Sequence, residues 1–307
     1  MTSDKILHGK IVKGVGGNYE IDVENGERIS CRARGVFRHD GETPFVGDNV
    51  EVRIDETGAM ISKLMPRQNL LIRPPIANLD LLFVMFAAKK PMPVLSTADK
   101  LISIAEYNLI EPAVIITKSD LAPDTAEELA DIYKRSGFRT YVTGNADHFS
   151  ENELRSLMSG KVSAFAGASG IGKSTLMNRL FPEFQLKTGE VSRKIERGKH
   201  TTRSVELFRL PSAAPETSGY IADTPGFSML DFERFDFFTN EELPDTFREF
   251  EPYLGKCRYT KCTHTKEDGC AIIKAVKDGM IQSSRHESFV EIRNLLKNKH
   301  PWDNKAQ

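Results

Sequence analysis

Gly167-Ala168-Ser169-Gly170-Ile171-Gly172-Lys173-Ser174 is the stretch that points most directly to the fold, because it matches the phosphate-loop pattern G-x-x-x-x-G-K-[ST]. It follows an apolar segment that ends at Ala166 and precedes a helical pattern from Thr175 to Leu180. A strand, a glycine-rich loop and a helix in this order form a phosphate-binding unit. We therefore predict an α/β domain that binds a nucleotide.

Each residue type in this loop suits one part of a nucleoside triphosphate. The glycines let backbone N–H groups close around phosphate oxygens, and the start of the following helix adds a positive potential. Lys173 is expected to reach the β- and γ-phosphates, and the Ser174 hydroxyl to ligate Mg²⁺. The predicted phosphate-binding residues are Gly167, Ala168, Ser169, Gly170, Ile171, Gly172, Lys173, Ser174 and Thr175.

A second phosphate-sensing element follows about 50 residues later. Asp223-Thr224-Pro225-Gly226 comes directly after the apolar segment Tyr220-Ile221-Ala222. An Asp at the end of a strand can hold Mg²⁺, and the Gly226 N–H can approach a γ-phosphate. Alone the pattern is an ordinary turn, but beside a phosphate loop it indicates that Asp223 and Gly226 bind the nucleotide.

The segment Thr117-Lys118-Ser119-Asp120 fits the [NT]-K-x-D pattern of guanine-nucleotide-binding proteins. The Asp120 carboxylate can accept hydrogen bonds from guanine N1–H and the exocyclic amine, which adenine does not offer at these positions. The Lys118 stem can cover the base. A solvated charged loop is the alternative for such a short pattern alone. Thr117, Lys118 and Asp120 are the predicted base-binding residues.

The motifs stand in an unusual order along a region of alternating strands and helices. Apolar segments at 81–86, 113–116, 162–166 and 220–222 predict strands buried on both faces, and helical stretches such as 124–136, with Asp124 as N-cap, separate them. Guanine recognition precedes the phosphate loop here, whereas most GTPases have the reverse. Binding depends on closeness in space, so we predict a circularly permuted GTPase domain.

Between the phosphate loop and Asp223 lies a basic segment, 187–203, with six Lys/Arg and two Glu. Thr201 or Thr202 can sense Mg²⁺ and the γ-phosphate, and His200 can orient a water molecule. Phe227 follows Gly226 where Ras-like enzymes carry a water-orienting Gln, so we expect slow intrinsic hydrolysis. The predicted catalytic residues are His200, Thr201 and Thr202. Two alternatives remain open: the segment is a flexible basic loop with no partner, or His200 contacts only RNA or solvent.

Three of the four cysteines are crowded near the C-terminus in the pattern Cys257-x4-Cys262-x-His264-x5-Cys270. Three thiolates and an imidazole form a complete tetrahedral set for Zn²⁺, and with no open position the ion is expected to be structural. Basic residues around the set suit RNA phosphates, although a merely solvated basic face is the alternative. They are Lys256, Arg258, Lys261, Lys266, Lys274, Lys277 and Arg285.

The N-terminal 72 residues show a different periodicity. Apolar and polar residues alternate at 19–24, 28–33 and 49–54, and Asn25-Gly26 between the first two predicts a hairpin. Four or five short strands predict a small barrel, with an OB-fold as one candidate and a purely structural module as the alternative. Prolines at 66, 74 and 75 indicate an exit linker. The predicted domains are 1–72, 73–235 and 236–307.

Composition bounds the function classes. The chain has 307 residues with 42 Lys+Arg against 43 Asp+Glu, 39% apolar content and 28% charged content, which is typical of globular proteins. We find no 18-residue apolar run and no secretory signal, so we expect no membrane span and a reducing cytoplasmic location. The near-zero net charge argues only weakly against RNA, because binding depends on charge distribution.

Taken together, these motifs closely resemble the circularly permuted GTPases of the ribosome small-subunit-dependent GTPase A family, RsgA or YjeQ, of bacteria. The matching pieces are TKSD, GASGIGKSTLMN, TGEVSRKIERGKHTT, IADTPGF and CRYTKCTHTKEDGC with the barrel before them. The resemblance implies an OB-fold, a permuted GTPase domain and a mostly helical zinc-finger domain with one structural Zn²⁺, and GTP/GDP with Mg²⁺ as ligands. It also implies binding to the 30S subunit and its 16S rRNA late in maturation, with subunit-stimulated GTP hydrolysis coupled to release.

The sequence departs from the usual GTPase pattern at two places, and two other functions compete with the predicted one. Thr117 stands where many GTPases have Asn, and Val142-Thr143-Gly144-Asn145 matches the base-supporting turn only in part. An ATP-using kinase and an RNA-binding protein with a merely structural nucleotide are the rivals. We expect a cytoplasmic monomer that binds neither membrane nor DNA.

Overall fold

A computed structural model describes residues 5–33, 37, 42–56, 58–144, 151–184, 205–211, 218–223 and 238–297. The chain forms two compact units. Unit 1 comprises Met1–Leu82, Ser150–Phe165 and Lys173–Ser228, and unit 2 comprises Phe83–Phe149, Ala166–Gly172 and Met229–Gln307. Among the described residues, no helix is both long and apolar enough to cross a membrane.

Unit 1 begins with a closed five-stranded barrel, which confirms the prediction from the period-two pattern. Its strand order is β1-β2-β3-β5-β4, and β1 also pairs with β4, so the sheet closes on itself. Ile11, Ile21, Val52 and Ile61 fill the interior and are fully buried. The strands are β1 (Lys5–Val15), β2 (Asn18–Val23), β3 (Arg28–Ala33), β4 (Asn49–Asp55) and β5 (Gly58–Leu64).

The predicted hairpin joins β2 to β3. Gly26 has a positive φ of 87°, and the Asn25 side chain accepts a hydrogen bond from Glu27 N at 3.0 Å. Asn25 thus stabilises the turn through its side chain, whereas Gly26 adopts the left-handed backbone conformation. Cys31 on β3 is buried in the barrel.

The segment predicted as a linker bonds back onto the barrel. Arg67 Nε donates to Asp48 Oδ1 at 2.6 Å, and the Asp48 side chain is fully buried. Asn69 accepts from Leu79 N at 3.0 Å, and Asn78 Nδ2 donates to Gly47 O at 3.0 Å. Short strands β6 (Leu70–Leu71) and β7 (Ile76–Ala77) pair within this segment. The prolines therefore mark a segment that is fixed by side-chain hydrogen bonds.

The rest of unit 1 extends the barrel sheet. Strand β11 (Val162–Ala166) pairs in parallel with β13 (Tyr220–Asp223). On its other side β13 pairs antiparallel with β12 (Glu206–Arg209), which in turn pairs with β1 at Lys13↔Glu206. Buried Asp22 on β2 accepts hydrogen bonds from Arg28 at 2.6 Å and Arg209 at 3.2 Å. Helices α3 (Glu151–Met158) and α4 (Lys173–Leu180) complete the described part of the unit.

Unit 2 contains strands in the order β10-β9-β8, with β9 and β10 parallel. Every residue of β8 is buried, which explains its unbroken apolar sequence. Helix α2 begins at Pro123 with Ala122 as N-cap, so the prediction of Asp124 as N-cap is wrong; Asp124 lies in the first turn, where its charge suits the helix dipole. The elements are β8 (Leu81–Ala87), α1 (Leu95–Tyr107), β9 (Glu111–Thr117), α2 (Pro123–Arg135) and β10 (Arg139–Thr143).

The C-terminal part of unit 2 is helical. Two 3-10 helices, Leu243–Thr246 and Arg248–Tyr253, precede α5 (Ala271–Lys277) and α6 (Ser283–Lys297), and α6 packs against α1. Phe247, Phe250 and Phe289 form a fully buried aromatic cluster with ring centroids 5.0–5.4 Å apart. The terminal helix α6 begins at Ser283 and ends at Lys297.

A buried arginine holds α6 to α1. Arg285 is 1% exposed, and its guanidinium lies 2.5 Å from Asp99 Oδ1 and 2.6 Å from Glu249 Oε1. It also lies 4.6 Å from the ring centroid of Phe247. Two carboxylates and an aromatic face compensate for the loss of water around the cation. Arg285 is therefore a packing residue, not the exposed basic residue that the sequence indicates.

Candidate nucleotide-binding and zinc sites

The phosphate-loop motif occupies the turn between β11 and α4. Gly167, Gly170 and Gly172 have φ values of 145°, 78° and 102°, which glycine adopts without strain. A Cβ atom at Gly167 would lie 2.2 Å from Met85 O and 2.5 Å from Ile171 Cδ1. The loop therefore passes directly over β8, and only glycine fits at its first position.

Lys173, Ser174 and Thr175 form the first turn of α4. Burial lowers the pKa of the Lys173 ammonium to about 8, because the cation has left water. A phosphate anion beside this group would favour the charged form again. The position and protonation of Lys173 thus suit a triphosphate ligand.

The guanine motif continues from the end of β9. Thr117 is the last residue of the strand, Lys118 has a left-handed backbone with φ 57°, and Asp120 lies in a 3-10 turn, Ser119–Leu121. Lys118 Nζ donates to Gly170 O at 2.7 Å and to Lys90 O at 2.5 Å. Two motifs that are 50 residues apart in sequence are thus in direct contact, as the permuted-domain prediction requires.

The Thr117 hydroxyl makes a second link between these motifs. Its Oγ1 donates to Ile171 O in the phosphate loop at 2.6 Å, and Thr117 is buried. Ile171, in the phosphate loop, is itself 1% exposed. From the sequence alone, replacing Asn by Thr removes an amide that braces the loop, but the structure shows that the hydroxyl makes a bracing contact.

The turn after β10 supports the same motif. A Cβ atom at Gly144 would lie 2.5 Å from Ser119 Oγ and 2.9 Å from Asp120 Oδ1. The partly matching segment from Val142 to Gly144 therefore lies against the guanine motif, and its next residue, Asn145, falls outside the described residues. The close approach of Gly144 to two side-chain atoms could not be recognised from the sequence.

The remaining predicted nucleotide residues are described only in part. Asp223 is the last residue of β13, which runs parallel to β11, the strand that leads into the phosphate loop. Gly226, His200, Thr201 and Thr202 lie outside the described residues, together with the basic segment 187–203.

The cysteine cluster has the dimensions of a tetrahedral zinc site. The four ligand atoms of Cys257, Cys262, His264 and Cys270 all lie within 4.8 Å of one another. Cys257 Sγ lies 3.8 Å from Cys270 Sγ, and His264 Nδ1 lies 3.5 Å from both sulfurs. With Zn–S of about 2.3 Å and Zn–N of about 2.0 Å, a tetrahedron has edges of about 3.8 Å and 3.5 Å. The residues therefore fit Zn²⁺ in both chemistry and size.

Comparison with known proteins agrees with these sites. Residues 64–233 match the RsgA GTPase family, and residues 8–61 match the RsgA N-terminal domain. The chain belongs to the RsgA GTPase family. Membership shows that it is a GTPase, which confirms the predicted enzyme class, and implies GTP/GDP and Mg²⁺ as ligands.

Relatives and solved structures cover nearly the whole chain. It is 41% identical to the small ribosomal subunit biogenesis GTPase RsgA of Alkaliphilus metalliredigens, over 94% of this chain and 97% of the relative. YjeQ from Thermotoga maritima superposes with a TM-score of 0.81 at 31% identity, covering 96% of this chain and 100% of that one. YloQ, titled a circularly permuted GTPase, gives a TM-score of 0.77 at 32% identity, covering 97% of both chains. The predicted fold class, including the permuted domain, is confirmed.

Proposed function

We propose that this member of the RsgA family is a GTPase that binds the 30S ribosomal subunit and assists its late maturation. The subunit stimulates hydrolysis of GTP to GDP and phosphate, and hydrolysis is coupled to release. The contact between the guanine motif and the phosphate loop through Thr117 and Lys118 carries the nucleotide part of this proposal. The names of relatives as small-subunit biogenesis GTPases support the ribosomal part.

Each residue has a defined part in nucleotide binding. The Asp120 carboxylate accepts from the guanine N1–H and amine, and the Lys118 stem covers the base. Backbone N–H groups of 167–172 and the Lys173 ammonium hold the phosphates, while the Ser174 hydroxyl and Asp223 hold the cation site. Bound Mg²⁺ would neutralise charge on the β- and γ-phosphates.

Hydrolysis needs an oriented water molecule in addition to phosphate binding. We assign γ-phosphate sensing to Gly226 and Thr201 or Thr202, and water positioning to His200. Phe227 offers no hydrogen bond to water, so turnover by the protein alone is slow. Contact with the subunit completes the catalytic arrangement.

The remaining predicted features complete the proposal. The protein has three domains that act together: a barrel over 1–72, a GTPase domain over 73–235 and a zinc domain over 236–307. One structural Zn²⁺ is held by Cys257, Cys262, His264 and Cys270. The partner surface is 16S rRNA, which exposed basic side chains such as Lys256 and Lys261 can contact. The protein acts as a cytoplasmic monomer and binds neither DNA nor membrane.

GTP turnover measured with and without purified 30S subunits tests the proposal. We expect slow turnover alone and a strong increase with the subunits, and an absence of stimulation would contradict the ribosomal part. The ratio of GDP to ADP affinity tests base recognition. Asp120→Asn should lower this ratio about 100-fold, because one accepting oxygen becomes an amide N–H₂ that faces a guanine donor and the remaining hydrogen bond loses its charge. Asp124→Asn should not change it.

A further inference from the structure

Glu267 lies between the two C-terminal members of the Cys₃His set and is not itself a ligand. Its Oε1 accepts hydrogen bonds from Thr263 N at 2.9 Å and from the Thr263 hydroxyl. Its Oε2 accepts from Thr265 N and Lys266 N, both at 3.1 Å. One carboxylate therefore binds four donors and closes the turn 263–266.

These donors flank His264 on both sides. His264 has a left-handed backbone with φ 59°, which is uncommon for a residue other than glycine. Because Thr263 N and Thr265 N both bond to Glu267, the backbone before and after His264 is fixed in this conformation. The same conformation directs His264 Nδ1 to within 3.5 Å of Cys257 Sγ and Cys270 Sγ.

A second contact holds the turn from the side of α6. His286 Nε2 lies 2.7 Å from His264 O, and the His286 ring stacks on Phe289 with centroids 6.2 Å apart. This contact anchors the His264 carbonyl to α6, whereas the N–H groups of Thr263 and Thr265, on either side of His264, bond to Glu267. The direction of the His264 side chain thus depends mainly on the Glu267 carboxylate.

We infer that Glu267 is the positioning residue of the Cys₃His site, where it fixes the turn 263–266 so that Cys262 and His264 face Cys257 and Cys270. The inference rests on the proposed zinc-ligand set. Groups that orient metal ligands contribute to affinity without touching the metal, and their loss commonly weakens binding 10- to 100-fold. A merely local turn contact would leave zinc affinity unchanged.

The test compares zinc affinity of the full-length protein and two neutralised variants. Glu267→Gln keeps the side-chain shape but places an amide N–H₂ against backbone donors. Asp268→Asn is the control: its carboxylate is exposed and forms a salt bridge of 3.5 Å with Arg258. Competition with a chromogenic zinc chelator should show about 10- to 100-fold weaker binding for Glu267→Gln. Asp268→Asn should bind like the wild-type protein.

Cobalt substitution provides a readout of ligand geometry. We expect Co²⁺-loaded Glu267→Gln to show altered d–d and thiolate charge-transfer bands, while circular dichroism shows the helices retained. If Glu267→Gln does not fold, Thr263→Val removes one donor and should weaken zinc binding, while Thr263→Ser should not.

Three results would overturn the inference. Equal zinc affinity of Glu267→Gln and the wild-type protein, with an unchanged Co²⁺ spectrum, would show that Glu267 does not position the ligands. Equal affinity of Thr263→Val, where that variant is needed, would show the same. A wild-type protein that fails to hold one zinc ion would overturn the ligand set itself, which separates the two failures.

Discussion

Thr117 carries a hydroxyl where many guanine-nucleotide-binding proteins carry an amide, and its single donor bonds to Ile171 O. The contact joins the end of β9 to the phosphate loop inside a buried environment. A buried carbonyl without a partner costs about 1–3 kcal/mol, so the bond matters for the shape of the loop. Residue identity at 117 is therefore linked to phosphate binding as well as to base recognition.

We predict that Thr117→Val weakens GDP binding about tenfold, because valine keeps the volume but leaves Ile171 O without its donor. Thr117→Ser keeps the hydroxyl and serves as the control. Fluorescence titration with a labelled guanine nucleotide measures both. Equal affinity of the valine variant and the wild-type protein would show that the contact does not shape the loop.

Lys173 predicts a pH dependence of nucleotide binding. Its pKa in the free protein is lowered to about 8 by burial, and contact with phosphate favours the charged form. Above pH 8 the free protein must therefore take up a proton to bind, and GDP affinity should fall by up to about tenfold per pH unit. Calorimetric titrations at pH 7, 8 and 9 measure the fall. A constant affinity to pH 9 would contradict the assignment of this ammonium to the phosphates.

At the scale of elements, α6 depends on a charge that lies inside the protein. Arg285 connects the helix to Asp99 on α1 and to Glu249 on the preceding 3-10 helix. The sequence places Arg285 among basic residues suited to RNA. It does not reveal the buried carboxylate partners of Arg285, because these are 36 and 186 positions away along the chain. Only packing of α6 on α1 reveals that its charge is already compensated.

We predict that Arg285→Met destabilises the protein by about 3–5 kcal/mol, because two buried carboxylates lose their cation. Urea unfolding measures the loss, and Arg258→Met, whose side chain is 66% exposed, should cost less than about 1 kcal/mol. Adding Asp99→Asn to Arg285→Met should recover part of the stability. Equal effects of the two arginine substitutions would contradict the structural role of Arg285.

For the whole molecule, the balance of 42 basic and 43 acidic residues conceals where the charges are used. Several acidic side chains are buried against arginines, including Asp22, Asp48, Asp99 and Glu249. Around the cysteine cluster, Lys256, Lys261 and Lys266 remain exposed. The total charge therefore says little about the surface that a partner meets.

We predict that Lys256→Glu/Lys261→Glu weakens cosedimentation with 30S subunits, with the largest difference at low salt, because fewer phosphate charges are neutralised. Lys134→Glu, at an exposed position of α2, serves as the control. GTP turnover without subunits should be unchanged in both variants. Identical salt-dependent sedimentation of all three proteins would exclude the zinc region as an RNA contact.

Much of the architecture could be predicted from local patterns. Alternation over 19–33 indicated the hairpin, and the unbroken apolar run at 81–86 indicated a strand buried on both faces. The N-cap of α2 was predicted at Asp124, two residues after Ala122, because Asp is equally suited to an N-cap and to the first turn. The hydrogen bonds that fix the exit segment after β5 could not be predicted, because the partners, such as Asp48 for Arg67, lie elsewhere in the chain.

The sequence by itself determined the chemistry: a phosphate loop, a guanine motif and a Cys₃His set, each recognisable because its residues are close together along the chain. Tertiary structure decided which groups meet, as in the contacts of Thr117 with Ile171 and of Arg285 with Asp99. Local propensity and spacing act over a few residues, whereas these contacts join residues 54 and 186 positions apart. Their partners are therefore selected by packing of strands and helices, which no short motif records.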